Sequence, residues 1–558
     1  MNNRCFLYAL SLVLLFASMA QAAEKNQPEY APGQIIVKMK SQVFAKKTAS
    51  VSSIFDIIDK YKGKIVTKQQ VSSARIDRMT AGTQEELCLL EFSADNDLQK
   101  IRDEISKADS VVYAEPNYYV YLDSMSIYKC AEEVPVTLGG QKITASGNTQ
   151  NEVIVAVLDT GVDYTHNDLK SNVWINKNEI PNNSIDDDVN GYVDDYNGYD
   201  FYNYTRSGGD HNPLDEYGHG THVSGIVLRT ADNAIAITGT PSNVRIMPVK
   251  FLDSQGRGMQ YDAAAAIYYA VNNGAKLINC SWGYFSTTKT LYEAVKYAYE
   301  KGVFVVTSSG NNNWDTEQFP AAFSEVIAVG AVDNNSRRAY FSNYGPYLDI
   351  AAPGVDIYSA FPGNSYARMT GTSQAAPYVC GIISTLLGNN PQVDRDSLLT
   401  LIYQNATDIV DPENNGSRLS GWDKYTGYGK INGVNAYYAL LGNDKIYDNN
   451  NSPINNAAPL FFEKVLNYPN PASSMTEFGF YLGGKPADVT IKIYDMYGKE
   501  IKTMFSVCSQ LDTYYKKNWG LTDENGDEVA NGTYIYIITA VALDGTKATK
   551  KQKLSVLR

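Results

Sequence analysis

Val153-Ile154-Val155-Ala156-Val157-Leu158 is an unbroken apolar run that ends on Asp159-Thr160-Gly161. A half-exposed strand alternates apolar and polar residues. A run that is apolar throughout predicts a parallel strand covered on both faces. The theme repeats at Ile246–Phe251, Leu277–Cys280, Val303–Val306 and Val326–Val329, with helical patterns between them at Ala263–Asn272 and Leu291–Glu300. Strand–helix alternation from about 150 to 440 predicts an α/β domain with a mostly parallel sheet. Asp159 then stands at a strand's carboxyl end, where open α/β sheets place their sites, and Gly161 lets the chain turn away.

The chain has 558 residues, too many for one compact core, which implies three or four units. Residues 1–22 read as a signal peptide: Arg4 gives a positive start, Phe6 to Phe16 is nearly all apolar, and Ala20-Gln21-Ala22 is a small-x-small cleavage site. Residues 27–122 form a small α+β pattern. Gln34–Lys38 is a strand, Leu98, Ile101, Ile105 and Ala108 recur at helical spacing, and Val111–Tyr118 is a strand followed by a breaker. Residues 441–460, rich in Asn, Asp and Pro, read as a linker. Short alternating strands over 461–558, such as Thr490–Asp495 and Thr533–Ile537, predict a β-sandwich. The net charge of −13 argues against a nucleic-acid partner. The cysteines at 5, 88, 130, 280, 380 and 508 have no metal or redox spacing, and Cys280 and Cys380 read as buried free thiols.

Two more runs supply chemistry to go with Asp159. His219-Gly220-Thr221-His222 offers an imidazole within small residues suited to a helix packed close to a sheet. Gly371-Thr372-Ser373-Gln374-Ala375-Ala376-Pro377 offers a hydroxyl at a helix start, where Thr372 can cap and Pro377 fits the first turn. Peptide hydrolysis needs a nucleophile stronger than a neutral hydroxyl. One histidine of that run would take the Ser373 proton and Asp159 would hold its imidazole. The Ser373 N–H, at the positive end of its helix, would face a developing oxyanion.

The order Asp159, His219, Ser373 and the local motifs around them resemble the subtilisin-like serine proteases. The resemblance implies a three-layer catalytic domain over 123–440. It makes Asn311, which follows Ser308-Ser309-Gly310, the second oxyanion donor, and gives His222 a structural role. Asn279-Cys280-Ser281-Trp282-Gly283 matches the strand that pairs with substrate, so Ser281, Trp282 and Gly283 form one wall of the primary pocket and Ser308 to Gly310 the other. The floor falls near Gln318-Phe319-Pro320, and Gln318 stands where many relatives have Gly, implying a shallower or more polar pocket. Residues 27–122 resemble inhibitory propeptides, whose tail, here Tyr119-Val120-Tyr121-Leu122, blocks the cleft. Asn467-Tyr468-Pro469-Asn470-Pro471 and Asn531-Gly532-Thr533-Tyr534 resemble Ig-like C-terminal modules that act in sorting or surface attachment.

The long gap between Asp159 and His219 holds Asp186-Asp187-Asp188-Val189-Asn190-Gly191 and then Asp194. Oxygens at Asp186, Asp188, Asn190 and Asp194 around a glycine turn resemble a calcium loop. Family alignment adds a second calcium cage from Asp168, Asn233, Ile235 and Ile237. The expectation is a secreted or cell-surface, calcium-stabilised serine endopeptidase made as a self-inhibited precursor. Its partners are polypeptide substrates, its own propeptide and secretion machinery or the cell surface. The alternative from another class is a surface adhesin that keeps the protease fold without its chemistry.

Overall fold

The computed structural model describes residues 29–40, 49–71, 85–122, 126–130, 143–144, 151–202, 209–233, 237–238, 243–409, 422–440, 446–447, 453–454, 461–468, 470–483, 487–496, 498–508, 514–524, 527–542 and 547–557. The expected leader lies outside them, as does most of the expected linker. The chain divides into two compact units: one of Met1–Glu133, Asn148–Ala231 and Pro241–Gly433, the other of Val134–Gly147, Asp232–Thr240 and Val434–Arg558.

The first unit begins with β1 (Tyr30–Lys40), α1 (Ala49–Lys60), β2 (Lys64–Val71), β3 (Glu85–Glu91), α2 (Leu98–Ile105) and β4 (Val111–Tyr121). The strands form an antiparallel sheet in the order β4-β1-β3-β2. Asp97 caps α2 by accepting from the Lys100 N–H. Ile35, Val37 and Met39 of β1 pack with Ile54, Ile58, Leu98, Ile101 and Ile105 on the helix-covered face. The alternate side chains Ile36, Leu87, Leu89 and Val120 enter the core of the α/β domain instead. This sheet is therefore buried on both faces, and the period of two divides its residues between two cores. The breaker expected after Tyr118 does not end β4. Pro116 lies at an irregularity where the β4–β1 register jumps from Tyr30 to Ile35, so its missing N–H does not interrupt the strand.

Next come β5 (Ser126–Cys130), β6 (Val153–Asp159), β7 (Tyr199–Asp200), α3 (His219–Asn233), β8 (Val244–Lys250), β9 (Arg257–Met259), α4 (Gln260–Asn272), β10 (Leu277–Cys280) and α5 (Lys289–Glu300). They are followed by β11 (Phe304–Ser308), β12 (Ile327–Val332), β13 (Ile350–Pro353), β14 (Ile357–Phe361), β15 (Ser365–Thr370), α6 (Thr372–Asn389) and α7 (Arg395–Gln404). The main sheet has seven strands in the order β13-β12-β11-β10-β6-β8-β7, and every pairing is parallel. The run Val153–Leu158 sits near the middle of it, almost wholly buried. This is the expected subtilisin-like α/β architecture. Cys280 and Cys380 are buried free thiols, as is Cys88.

In the second unit β16 (Phe461–Tyr468), β17 (Thr476–Gly483), β18 (Ala487–Tyr494), β19 (Glu500–Cys508), β20 (Tyr514–Trp519), β21 (Gly532–Ala542) and β22 (Lys547–Val556) form two antiparallel sheets. Their orders are β16-β17-β20 and β19-β18-β21-β22. Phe478, Phe480 and Trp519 of the first share one core with Val489, Ile491, Tyr536 and Ile538 of the second.

One buried polar group ties α3 to its neighbours. The His222 Nε2 lies 3.0 Å from the Ile357 carbonyl and 3.1 Å from the Ala367 carbonyl, on β14 and β15. Burial pushes its pKa down to about 3. The folded protein thus keeps His222 neutral, while the unfolded chain takes up a proton below the ordinary value near 6.5. Stability supplied by the neutral ring is complete above that value and falls as pH drops toward 3. His222→Gln is expected to be less stable than wild type at pH 7.5. The gap should narrow by about 2 kcal/mol at pH 5, at about 1.4 kcal/mol per pH unit. Urea unfolding at the two pH values measures it, and a pH-independent gap would contradict it.

Candidate active site

Asp159 ends β6, and the sheet register sets what stands beside it. Leu158 pairs with Cys280 of β10, so Ser281 and Asp159 leave adjacent strands at the same level. The Trp282 indole N–H donates to the Leu158 carbonyl at 3.0 Å and locks that junction. Gly161, at φ 109°, turns the chain where any side chain would collide with the Pro213–Leu214 backbone.

His219 is the first residue of α3 and is fully buried, as is Asp159. Its Nδ1 donates to the two Asp159 oxygens at 2.7 and 2.9 Å. The Nδ1 proton leaves Nε2 as the basic atom, and Nε2 is buried without a hydrogen-bond partner. A Cβ on Gly220 would meet the Gly161 carbonyl and Asp159, so the small residue allows this close approach.

Asp215 holds the two segments together and was not singled out from sequence. Its carboxylate is fully buried and accepts from the Thr160 hydroxyl, the Tyr217, Gly218 and Thr221 N–H groups and the Thr221 hydroxyl, at 2.6 to 3.0 Å. Thr160 in turn accepts from the Gly220 N–H at 3.0 Å. Burial raises the Asp215 pKa against the pull of these donors. Its signal was an Asp four residues before His219, able to satisfy N–H groups at a helix start.

Ser373 stands in the first turn of α6, whose N-cap is Gly371 rather than the expected Thr372. The Thr372 hydroxyl is engaged elsewhere. It accepts from the Gly310 N–H at 3.2 Å and donates to Asn311 Oδ1 at 2.9 Å. Pro377 is also not in the first turn but inside the helix. It has no N–H for the carbonyl four residues back, that of Ser373. The Ser281 hydroxyl donates to this carbonyl instead, at 2.9 Å. The Ser373 hydroxyl donates to the Ser281 carbonyl at 3.2 Å. Asn311 Oδ1 also accepts from the Thr372 N–H at 2.8 Å, which fixes the amide, and its Nδ2 is buried without a partner.

The expected primary pocket would have Gly283 on one wall and Gly310 on the other, with Ser308 at the end of β11 and buried. Gln318 lies between the glycines, because a Cβ built on either would run into its amide. The Asn343 amide donates to Gln318 Oε1 at 3.2 Å. The Gln318 side chain thus fills space that a glycine would leave open.

The end of β4 lies in this cleft. Tyr121 and Gly283 exchange N–H···O bonds at 3.4 and 3.2 Å. On the other side β9 pairs antiparallel with β4, matching Arg257 to Tyr121, Gly258 to Val120 and Met259 to Tyr119. The Leu122 N–H donates to the Gly256 carbonyl at 2.9 Å. Two polar side chains brace the approach. Glu115 accepts from the Lys289 and Thr290 N–H groups at 3.0 and 2.8 Å, at the start of α5. Asn117 Oδ1 accepts from the Tyr261 N–H at 3.1 Å, at the start of α4, whose own N-cap residue Met259 offers no side-chain bond. Glu115 and Asn117, within the expected strand, thus act as helix caps supplied from outside the helices.

The acidic loop gathers a different set of carboxylates from the one expected. Glu179, Asp188 and Asp195 bring ligand-capable oxygens within 4.8 Å of one another. Asp186 is spent on the Asn190 and Gly191 N–H groups, and Asp194 on those of Asn183 and Ser184. Asn190 donates its amide to Asp195 at 3.1 Å. Burial, followed by neighbouring carboxylates, raises the pKa of both Glu179 and Asp195, and Glu179 Oε2 is buried without a partner. Hard oxygen ligands, excess negative charge and an unsatisfied buried oxygen fit a divalent cation such as calcium. Asp195 directly follows Asp194 in sequence, whereas Glu179 is brought to the motif only by folding. Of the second expected cage, Asp168 accepts from the Tyr366 hydroxyl at 2.8 Å. Ile235 and the side chains of Asn233 and Ile237 lie outside the described residues.

Comparison with known proteins agrees along the chain. Residues 16–117 match the fervidolysin N-terminal prodomain, and residues 467–552 match the secretion system C-terminal sorting domain. The chain is similar to the thermophilic serine proteinase of Bacillus sp. (strain AK1), 39% identical over 334 residues, covering 58% of this chain and 72% of that protein. It is 33% identical over 283 residues to thermitase of Thermoactinomyces vulgaris, covering 50% and 87%, and 34% identical over 274 residues to subtilisin DY of Bacillus licheniformis, covering 48% and 89%. Residues 150–429 match the subtilase family, and the chain belongs to that family.

Proposed function

We propose that this subtilase is a secreted serine endopeptidase made as a precursor that blocks its own cleft. The observation that carries this reading is the pairing of two unsatisfied buried atoms, His219 Nε2 and Asn311 Nδ2, with a site that already holds an extended peptide. Unpartnered buried polar atoms are costly in a folded protein. Both are what acyl transfer requires. Asp159 keeps the proton on Nδ1, and Nε2 accepts the Ser373 proton as Oγ attacks the carbonyl carbon. The oxyanion is held by the Ser373 N–H and Asn311 Nδ2. His219 then returns the proton to the leaving amine, and water, activated by the same imidazole, releases the acyl group. An adhesin without this chemistry would have no use for the two open atoms.

The prodomain match and the seated tail support self-inhibition by residues 27–122, with Glu115 and Asn117 adding affinity through the helix starts. The sorting-domain match supports an extracellular or cell-surface protein handled by a secretion system through residues 461–558. Glu179, Asp188 and Asp195 would hold calcium, which would balance their charge and fix the loop.

A fluorophosphonate probe is expected to label mature wild type and not Ser373→Ala, and Asn311→Ala should lower turnover roughly 10²–10³-fold, a magnitude known from a subtilisin. Mass spectrometry should find a new N-terminus between residues 123 and 130 in wild type and an uncut precursor for Ser373→Ala. Equal processing of both would assign the cut to another protease. Chelation should lower the melting temperature of wild type by about 5–10 °C. Combining Glu179→Gln with Asp188→Asn should remove that response, and an unchanged response would remove the calcium assignment. Glu115→Ala should weaken inhibition of mature enzyme by added segment 27–122 about five- to tenfold, the effect of one lost cap.

A further inference from the structure

The cleft continues beyond Gly283 as a row of aromatic rings. Tyr284 and Phe285 follow Gly283 in sequence, with ring centroids 6.3 Å apart. Trp314, from the loop after Asn311, lies 5.5 Å from Phe285. Both ends of the row are anchored. Tyr284 and Phe319 exchange backbone hydrogen bonds at 2.9 and 2.7 Å. The Trp314 N–H donates to Asn343 Oδ1 at 3.0 Å, and its carbonyl accepts from the Tyr344 N–H at 3.0 Å. Despite this anchoring, Phe285 is 42% and Trp314 45% exposed. Large apolar rings held rigid at a surface mark a contact site.

The chain itself shows what sits there. The Tyr121 ring lies 5.9 Å from Tyr284, and the Tyr119 ring 6.1 Å from Tyr121. Residues 119 and 121 share one face of the strand, since side chains alternate. The antiparallel match of Tyr121 with Gly283 also counts out the position relative to a cleaved bond. Two residues further along a bound strand, the partner is Ser281, whose carbonyl is 3.2 Å from the Ser373 hydroxyl. A peptide bound in this register therefore places its third residue before the scissile bond where Tyr121 lies.

We propose that Tyr284, Phe285 and Trp314 form a shelf that selects polypeptides with an aromatic side chain at the third position before the cleaved bond. The proposal rests on the protease reading above. In the precursor the shelf is occupied by Tyr121, and in the mature protein by the substrate. Ring-on-ring contacts of this kind are expected to change kcat/KM by about three- to tenfold.

The test uses mature protein and internally quenched peptides that differ only at that third position, Tyr against Ala. Wild type should favour Tyr about three- to tenfold in kcat/KM. In Tyr284→Ala, and separately in Trp314→Ala, the ratio should move toward one. A ratio near one in wild type, or a wild-type ratio kept in both variants, overturns the shelf while leaving the protease intact. No turnover of any peptide, together with no fluorophosphonate labelling, overturns the protease reading and the shelf with it.

Discussion

The parallel register between Val153–Asp159 and Leu277–Cys280 is the constraint on which the site depends. Pairing Leu158 with Cys280 brings Asp159 and Ser281 out of the sheet side by side. Ser281 then reaches the first turn of the helix that carries Ser373. A slip of one residue would turn every side chain of the strand to the opposite face, and the acid would no longer meet His219. The continuous burial of both strands resists that slip, so the accuracy of the site derives from the packing of the core.

Hydrogen bonds that secondary structure leaves open are reused at the site. Pro377 withholds an N–H inside its helix, and the Ser281 hydroxyl fills the vacancy on the Ser373 carbonyl. The first turns of the two helices Gln260–Asn272 and Lys289–Glu300 are partly satisfied by Asn117 and Glu115. The N-terminal domain thus completes elements of the catalytic domain while its tail lies in the cleft, and Lys38 adds an ion pair with Glu293 at 2.8 Å across the same boundary.

Much of this was legible in the sequence because it is local. A six-residue apolar run announces a buried parallel strand, and Asp159, His219, Ser373 and Asn311 each sit in a short motif with a recognisable neighbourhood. Asp215 was only partly legible: it stands four residues before a helix start, but its bond to Thr160, 55 residues away along the chain, is made by folding. The cluster of Glu179, Asp188 and Asp195 forms because the acidic loop folds back on itself, whereas spacing along the chain points to Asp186 and Asp194, whose oxygens are taken by loop N–H groups. The expected roles of Thr372 and Pro377 followed from helix propensity alone. Tertiary partners at Gly310, Asn311 and Ser281 decided otherwise. A capping residue can be read from sequence only when it caps its own helix, which is why Glu115 and Asn117 read as ordinary members of a strand.

The tail from Tyr119 to Leu122 is joined by peptide bonds to the domain whose cleft it fills, and this changes what its contacts achieve over time. While the connection is intact, the strand competes at an effective concentration set by its tether, on the order of millimolar for short links. Once the connection is severed, the same hydrogen bonds act between two molecules and become subject to dilution. Crowded molecules would then restrain one another, and dispersal itself would release them, so under the proposed self-inhibition the onset of activity would follow local abundance.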